Sequence, residues 1–476
     1  MLFRVLIKKD SAFWKGGIPV KNARELCVQA LVRVERTKAY SNLTLDQLLE
    51  QEGKNRNKDP LWRAESAFAS TLFYGVLERK LTLDSCIEKY AVKGFAGMAG
   101  EVLAILRISF YQLLFMPNIP ESAVVNEAVK LTRTFRRPGA SGFVNGVLRS
   151  FLRDGKALPE YEDPVTQRSV LYSLPRWILL EWQQQFGEEE TDRIAAAFTR
   201  QMPLYARVNL LRNTPAELCK RLRCQLEQQK GFVWREEMAV IDPSLPGCLH
   251  LSGLGSLRKI PAFVEGRFHI QDKSSQLCAL SLDAQPGDRV LDLCAAPGGK
   301  TFTIAQQMQG KGQVDAFDLH EHRVKLIREG AARLGLQNVT AQARDALKPC
   351  SAPQQYDRVL CDVPCSGLGI LGRKPEIRYK SPEEFEQLPE IQYQILENAA
   401  AYLRDGGILV YSTCTLRREE NQQVTGQFLR AHPEFAVEEF PQCCGDYQGL
   451  PGEQLLLPHQ HDSDGFYICR MRKKIR

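Results

Sequence analysis

Two cysteines and one aspartate in the second half of the chain follow directly on segments with the composition of buried strands. The segment YDRVLCDVPCSG (356–367) leads into Asp362 and Cys365, and GGILVYSTCTL (406–416) leads into Cys414. The carboxyl ends of parallel strands meet at one edge of an α/β sheet, so we expect the three side chains to lie together. A thiolate can add to C6 of a pyrimidine, which makes C5 electron-rich enough to attack an electrophilic methyl group.

The protonation state of the thiol limits this chemistry. At an ordinary pKa of about 8.5, only about 3% of a cysteine side chain is thiolate at pH 7. The site must therefore lower that pKa or take up the proton during attack. Buried cysteine is also commonly just a small apolar side chain, and we interpret Cys361, inside the strand, in this way. For Cys365 or Cys414 taken singly, both interpretations stay open.

The stretch RVLDLCAAPGGKT (289–301) has the pattern of a buried strand, a tight turn and the first turn of a helix. In an α/β sheet such a turn lies at the carboxyl end of the strand, where glycine lets the backbone approach a ligand closely. Neither G-x-G-x-x-G nor G-x-x-x-x-G-K-[ST] is present, so a loop for an adenosine without a pyrophosphate fits better. A glycine-rich turn without any ligand is the alternative.

Two further acidic residues follow the next strand-like segments. Asp318 ends the second strand, about 20 residues after the glycine turn, where doubly wound folds place an acid against ribose hydroxyls. Asp345 ends the third strand, where a carboxylate can accept a hydrogen bond from an adenine amino group. A single aspartate after a strand is more often a helix cap than a ligand. Three acids at one edge, with Asp362 as the third, favour the ligand interpretation.

From Phe268 onward, strand-like and helix-like segments alternate. This alternation predicts an α/β domain with a parallel sheet and helices on both faces. The strands are predicted at 289–293, 313–319, 339–344, 356–362 and 407–413, with a closing antiparallel pair near 453–457 and 465–471. The helices are predicted at 300–309, 321–334, 382–404 and 417–431.

The first third of the chain is predicted to be all-α. Helical periodicity runs from Ala23 to residue 153, with a polar loop at 51–60. This region carries a group of basic residues, which forms either a solvated face or a surface that contacts RNA phosphates. The candidate RNA-binding residues are Lys130, Arg133, Arg136, Arg137, Arg149 and Arg153.

Composition shifts divide the chain into five predicted segments. They are an N-terminal arm (1–20), an all-α domain (21–155), a linker (156–174), a small α+β domain (175–265) and an α/β domain (266–476). The short strands and helices of the small domain are more typical of a docking or RNA-guiding module than of a catalytic one.

The overall composition is that of an ordinary globular protein. The chain has 476 residues, enough for about three domains, with 44% apolar and 25% charged residues. A formal charge of +7 permits a polyanionic partner without requiring one. Scattered cysteines without zinc spacing indicate free thiols in a reducing compartment and no metal. Since no signal peptide or membrane-spanning run is present, we expect a cytoplasmic monomer with no membrane association.

Four motifs of the last third resemble those of the RNA cytosine-5 methyltransferases. They are CAAPGGKT, DVPCSG, YSTCTL followed by Glu419-Glu420-Asn421, and Ile270-Gln-Asp-Lys-Ser-Ser275. The segments Pro175 to Gly187 and Arg207-Val-Asn209 are similar to the small domain that precedes the catalytic domain in this family. The resemblance implies a Rossmann-like S-adenosylmethionine-dependent methyltransferase domain over about 265–472.

A second resemblance covers roughly residues 20–155. Ile105-Leu-Arg-Ile, Ile119-Pro, Val125-Asn-Glu-Ala-Val and Phe143-Val-Asn-Gly-Val-Leu-Arg149 are similar to the NusB-type RNA-binding helical fold. Taken together, the two resemblances imply small-subunit ribosomal RNA as the partner.

The resemblance to the methyltransferases also implies a reaction and residue roles. It implies methylation of C5 of a cytosine in 16S ribosomal RNA, with Cys414 as the nucleophile that bonds to C6. It assigns product release by β-elimination to Cys365 and a hydrogen bond with N3 of the base to Asp362. The implied S-adenosylmethionine-binding residues are Cys294, Ala295, Ala296, Pro297, Gly298, Gly299, Lys300, Asp318, Asp345 and Asp362.

Two alternatives remain at this stage. One is the same chemistry on transfer RNA or at another ribosomal RNA site. The other is a NusB-like RNA-binding or assembly factor with an inactive methyltransferase domain. The intact glycine turn, the three acids and both thiols argue against the second alternative.

Overall fold

A computed structural model of the chain consists of two compact units, which divide between Arg176 and Trp177. The described residues are 21–37, 41–56, 59, 61–91, 94–200, 202–229, 232–349 and 353–475, with only the backbone of 41–43. The predicted arm, residues 1–20, lies outside the described residues.

The first unit is helical, which confirms the predicted all-α fold. Its helices are α1 (Ala23–Thr37), α2 (Ser41–Asn55), α3 (Trp62–Glu78), α4 (Lys80–Tyr90), α5 (Gly100–Phe115), α6 (Glu121–Thr134), α7 (Ser141–Arg153) and α8 (Pro164–Tyr172). Helix α5 is apolar on nearly all sides and lies in the core, where Ile105 and Phe110 are fully buried. Phe110 packs against Phe151 of α7 with ring centroids 4.5 Å apart.

The predicted polar loop at 51–60 is wrong in its first half, because α2 continues to Asn55. The side chain of Glu52 explains the extension. Glu52 is only 5% exposed, its carboxylate accepts the backbone N–H of Lys21 at 3.0 Å, and Arg56 lies 3.6 Å away one helical turn later. A long-range contact of this kind overrides the polar composition of the segment.

The segment 156–174, predicted as a linker, contains helix α8. The carboxylate of Asp163 caps the helix by accepting the N–H of Thr166 at 2.9 Å. The hydroxyl of Thr82 on α4 donates to the carbonyl of Val170 at 2.5 Å. This segment is therefore packed against α4 within the first unit.

The second unit begins with a small α+β region. Its elements are α9 (Arg176–Phe186), α10 (Glu188–Ala197), β1 (Leu204–Val208), α11 (Pro215–Glu227), β2 (Ala239–Ile241), β3 (Cys248–Leu251), α12 (Pro261–Val264) and β4 (Phe268–Ile270). The strands form an antiparallel sheet in the order β2-β3-β1-β4. Strand β4 lies beyond residue 265, so this sheet extends further along the chain than the predicted small domain.

The rest of the second unit is an α/β fold. Its elements are α13 (Lys273–Ser281), β5 (Arg289–Asp292), α14 (Gly299–Gln307), β6 (Gln313–Asp318), α15 (Glu321–Leu334), β7 (Val339–Ala343), β8 (Tyr356–Asp362), α16 (Leu388–Tyr402), β9 (Leu403–Thr413), α17 (Gln422–Ala431), β10 (Phe435–Val437), β11 (Glu453–Leu456), α18 (Pro458–His461) and β12 (Phe466–Lys473). The predicted parallel strands and the closing antiparallel pair are confirmed.

The large sheet has the order β7-β6-β5-β8-β9-β12-β10, and β11 also pairs with β12. Strands β5 to β9 are mutually parallel, whereas β12 runs antiparallel to β9. Val290 and Leu291 of β5 point into separate apolar cores on opposite faces of the sheet. Strand order reverses at β5, between β6 and β8, so a ligand crevice is expected beyond the carboxyl ends of these strands.

Three general features bear on the class of protein. Within the described ranges, no helix combines the length and apolar character needed to cross a membrane. The same residues contain no group of three or more His, Cys, Asp or Glu side chains arranged to hold a metal ion. The cysteines that the structure describes are free thiols.

Candidate active site

The glycine-rich loop, Cys294–Lys300, joins β5 to α14 and is anchored to the strands on both sides. The N–H of Leu293 donates to the carbonyl of Leu360 on β8 at 3.0 Å. The N–H of Ala295 donates to the carbonyl of Phe317 on β6 at 2.8 Å. The loop therefore lies at the carboxyl edge, where strand order reverses.

Position 298 of this loop accepts only glycine. Its φ of +106° is in the left-handed region, and an added Cβ would lie 2.4 Å from the ring of Phe302. Gly299 differs, because its Cβ would make an ordinary 3.7 Å contact with Gln271. The tight turn predicted from the sequence thus depends on the first glycine of the pair.

Gly298→Ala is expected to lower the free energy of unfolding by about 2 kcal/mol, since a left-handed Cβ costs about 1–2 kcal/mol and the methyl group also meets Phe302. Gly299→Ala is the matched control and should change the unfolding free energy by less than about 0.5 kcal/mol. Urea unfolding of the two variants measures the difference. Equal midpoints would contradict the steric role of Gly298.

Asp292, the last residue of β5, lies next to the glycine-rich loop and is not among the site residues predicted from the sequence. Its side chain is 1% exposed, and the hydroxyl of Thr301 donates to one carboxylate oxygen at 2.7 Å. The other oxygen has no hydrogen-bond partner among the described residues. Burial raises the pKa of Asp292 to about 7. A buried acceptor without a partner beside a glycine turn suits a ligand that brings an N–H group.

The two predicted strand-end acids have different surroundings. Asp318 accepts the N–H of Ala296 at 3.2 Å and lies 3.3 Å from the guanidinium of Arg323, which also donates to the Ala296 carbonyl. Asp345 is half-buried and accepts the N–H of Leu347 at 3.0 Å in a local turn; no helix begins within residues 344–349, so the helix-cap interpretation does not apply to it. The structure therefore brings Asp318 into contact with the glycine-rich loop, while the described contacts of Asp345 are local.

Asp362, the last residue of β8, is held from two sides. Lys300 Nζ donates to one oxygen at 2.6 Å, and the hydroxyl of Ser412 on β9 donates to the other at 2.8 Å. Burial by itself lowers the pKa of Lys300, but the adjacent carboxylate of Asp362 offsets this and raises that pKa above its ordinary value. Lys300 is therefore an ammonium at neutral pH, and the pair links the glycine-rich loop to β8.

The structure places Cys365 and Cys414 in contact, as the strand-end argument predicts. Their Sγ atoms are 3.2 Å apart, and the backbone N–H of Cys414 donates to Cys365 Sγ at 3.3 Å. Gly369 N–H donates to the Cys414 carbonyl at 2.9 Å, which ties the segment after β8 to the end of β9. Cys361, by contrast, is fully buried within β8, in keeping with its apolar interpretation.

The surroundings of Cys365 favour its protonated form. The hydrogen bond with the Cys414 thiol, together with burial, raises the pKa of Cys365 well above its ordinary value. The single backbone N–H donated to Cys365 Sγ acts in the opposite direction and does not offset both effects. Cys365 is therefore the sulfur that holds the proton in this contact.

The six predicted RNA-binding residues are all exposed on α6, on α7 and on the turn between them. Lys130 and Asn145, on facing sides of the two helices, line a cavity of about 640 Å³. Lys130 also pairs with Glu127 at 2.8 Å, and Arg137 pairs with Glu101 at 3.2 Å. These residues form a polar, partly basic surface of the first unit.

Comparison with known protein families covers most of the chain. The profile described as 16S rRNA methyltransferase RsmB/F matches residues 279–472. The NusB family matches 21–153, and the ferredoxin-like domain of RsmF/B-like methyltransferases matches 174–230.

A probable ribosomal RNA small subunit methyltransferase B of Bacillus subtilis is 36% identical over 468 residues, which cover 95% of this chain and 99% of the relative. The chain belongs to the ribosomal RNA small subunit methyltransferase B family. It is accordingly an RNA methyltransferase, which confirms the predicted enzyme class. The Yersinia pseudotuberculosis member of this family is 32% identical over 414 residues, covering 86% of this chain and 91% of the relative.

Solved structures show a similar fold. A crystal structure of PH0851 superposes with a TM-score of 0.77 at 25% identity and covers 97% of this chain and all of that one. NSun6 from Pyrococcus horikoshii, solved with SFG, superposes with a TM-score of 0.56 at 25% identity, covering 64% of this chain and 99% of that one. The predicted combination of a NusB-like domain, a small α+β domain and a methyltransferase domain is confirmed.

Proposed function

We propose that the chain methylates C5 of a cytosine in small-subunit ribosomal RNA, with S-adenosylmethionine as the methyl donor. The observation that carries this proposal is the 3.2 Å contact between Cys365 and Cys414 at the carboxyl ends of adjacent parallel strands. Two thiols in contact suit a reaction in which one sulfur bonds to the base and the other assists its departure. The family membership supports an RNA substrate.

The residues around the glycine-rich loop fit S-adenosylmethionine. The backbone turns tightly at Gly298, with no room for a side chain, and Asp292 presents a buried oxygen without a described partner. We assign donor binding to the Cys294–Lys300 loop, Asp318, Asp345 and Asp362, and add Asp292 as an acceptor for the amino group. When bound, the donor supplies an electrophilic methyl group. NSun6, a relative solved with SFG, an analogue of this donor, supports the assignment.

Cys414 acts as the nucleophile in this proposal. Its thiolate bonds to C6 of the cytosine, and the ring electrons displaced by this bond make C5 the nucleophilic carbon. As negative charge develops in the ring, N3 takes up a proton from the solvent and returns it after methylation. The carboxylate of Asp362, fixed by Lys300 and Ser412, accepts a hydrogen bond from this N3–H and so stabilises the protonated base. The target base must leave its stack to reach the thiol, which costs a few kcal/mol and less in a loop than in a duplex.

Cys365 acts in product release. After methylation, the C5 proton must leave and the bond between C6 and Cys414 Sγ must break. Because Cys365 holds its proton against Cys414 Sγ, it can pass that proton to the departing sulfur and take up the proton from C5. The two transfers leave both cysteines as thiols and release 5-methylcytosine in the RNA.

Methyl incorporation into RNA tests this function directly. The protein is incubated with radiolabelled S-adenosylmethionine and small-subunit ribosomal RNA transcribed without modifications, and the product is digested and analysed for 5-methylcytosine. Transfer RNA and large-subunit RNA transcripts serve as parallel substrates. Label in 5-methylcytosine of the small-subunit RNA supports the proposal. Label confined to the other RNAs would mean that one of them, and not small-subunit RNA, is the substrate. No incorporation into any RNA favours a non-catalytic RNA-binding factor.

We also propose that the exposed basic residues of α7 contact RNA phosphates. The double variant Arg149→Glu/Arg153→Glu is expected to raise the KM for RNA by about tenfold or more and to make binding less sensitive to salt by about one counterion per lost contact. Arg430→Glu on the exposed side of α17 is the control for reversal of a surface charge outside the first unit. Filter binding between 50 and 200 mM salt measures both effects, and an unchanged salt slope would contradict the assignment.

A further inference from the structure

Glu420 is a fully buried carboxylate next to both cysteine-bearing segments, and the proposed function leaves it without a role. Its side chain is 0% exposed, and burial raises its pKa. Burial of a carboxylate is unfavourable unless hydrogen bonds compensate for the lost water. The bonds that Glu420 makes therefore indicate what the buried charge contributes.

One carboxylate oxygen of Glu420 accepts two hydrogen bonds from groups that flank Cys365. The backbone N–H of Ser366, the next residue after Cys365, donates to Glu420 Oε2 at 2.9 Å. Gln392 Nε2 on α16 donates to the same oxygen at 2.9 Å and to the carbonyl of Pro364 at 3.0 Å. Glu420 and Gln392 thus fix the residues immediately before and after Cys365.

The backbone around Glu420 is bonded to the other cysteine-bearing segment. The hydroxyl of Tyr411 on β9 donates to the Glu420 carbonyl at 2.6 Å, and Asn421 Nδ2 donates to the carbonyl of Thr415 at 3.0 Å. The residues that follow the two cysteines also meet directly, since the hydroxyls of Ser366 and Thr415 are 2.7 Å apart. Glu420 therefore connects a segment held by β9 to the segment that carries Cys365.

We infer that Glu420 is a positioning residue that holds the Cys365 thiol against Cys414, so that release of the methylated RNA depends on the side-chain oxygen that accepts these two hydrogen bonds. Cys414 follows β9 directly and does not need the Glu420 side chain for its own placement. Loss of that side chain should thus slow release more than attack. The inference rests on the proposed roles of the two thiols.

Glu420→Ala and Glu420→Gln distinguish positioning from a general contribution to stability. The amide oxygen of glutamine can accept both N–H groups, so Glu420→Gln should release product within about threefold of the unmodified enzyme. Glu420→Ala leaves the Cys365 segment unanchored, and a displacement of about 1 Å can slow a step by about 10²-fold. We expect Glu420→Ala to form the RNA adduct but to accumulate it. Glu390→Gln, on the exposed first turn of α16, is the matched control.

The experiment uses the full-length protein in a single turnover with RNA and S-adenosylmethionine. Two quantities are followed in time: methyl groups incorporated, and protein retained with RNA on a denaturing gel. In Glu420→Ala we expect normal incorporation within about threefold and a retained fraction that approaches the one in Cys365→Ala. A merely structural role would lower both quantities together, in proportion to the folded protein, and that result would overturn the inference.

Gln392→Met provides a second test of the role of Glu420 if Glu420→Ala does not fold. It removes the bonds to Glu420 and Pro364 and leaves the carboxylate in place, so retention of the adduct should again increase. Normal release in a folded Gln392→Met variant would overturn the inference. Cys365→Ala distinguishes failure of the proposed thiol roles from failure of the role of Glu420. If Cys365→Ala retains no adduct, the proposed thiol roles are wrong. If Cys365→Ala retains the adduct and Glu420→Ala does not, only the role of Glu420 is rejected.

Discussion

Cys414→Ala is expected to abolish methyl transfer, with a loss of at least about 10⁴-fold in single-turnover rate, because the sulfur proposed to bond to C6 is removed. Binding of S-adenosylmethionine should remain within about threefold of the unmodified protein, since the predicted donor residues lie at the ends of β5, β6, β7 and β8, whereas Cys414 follows β9. Incorporation of labelled methyl groups and calorimetric titration with the donor measure the two quantities separately.

Cys361→Ala provides the control for Cys414→Ala. This variant also removes a sulfur from the same sheet, but Cys361 is fully buried inside β8 and should affect stability rather than transfer. Methyl transfer that persists in Cys414→Ala would contradict the assignment of the nucleophile. If that variant stays active while Cys365→Ala loses transfer without forming an adduct, the two thiols have exchanged roles.

Cys365→Ala is expected to form a covalent adduct with its RNA substrate that is not released. Cys414 can still attack C6 and C5 can still be methylated, but the proton that Cys365 holds against Cys414 Sγ is missing when the C6–S bond must break. We expect most of the protein to remain attached to RNA after denaturation, compared with at most a few per cent for the unmodified enzyme. A denaturing gel with labelled RNA measures the retained fraction.

The double variant Cys365→Ala/Cys414→Ala is the control for covalent retention and should retain no RNA. Retention by the double variant would mean that a different side chain bonds to the base. If Cys365→Ala alone releases the RNA at the normal rate, other groups take up the C5 proton and protonate the departing sulfur. The proposed proton transfers through Cys365 would then be wrong.

The strand ends of the catalytic region follow from the sequence. Apolar runs that break off into Asp318, Asp362 and Cys365 can be recognised locally, and the geometry of parallel sheets then sends these residues to one edge. The turn at Gly298 is equally local, because glycine is the residue type that a left-handed backbone requires. The resemblance of these motifs to a known family added the proposed roles, which neither periodicity nor spacing could supply.

Other features depend on contacts between residues far apart in the chain. Strand β4 joins the small sheet because it pairs with β1 some sixty residues earlier (Ala206↔Ile270), and helix α2 extends because Glu52 accepts the Lys21 N–H. Neither the local pattern at Phe268 nor the polar composition of 51–60 indicates these distant partners. Tertiary contacts therefore override local preference at both places.

The sequence by itself determined which side chains reach the carboxyl edge of the sheet, because strand ends and glycine turns are properties of short segments. Only the tertiary structure decided how those side chains are held. We infer a role in the site for Asp292 because its burial leaves one oxygen without a described partner, and for Glu420 because its partners Ser366 and Gln392 come from other segments. Burial and hydrogen bonding of a carboxylate are set by the groups around it, which the chain brings together only when it folds.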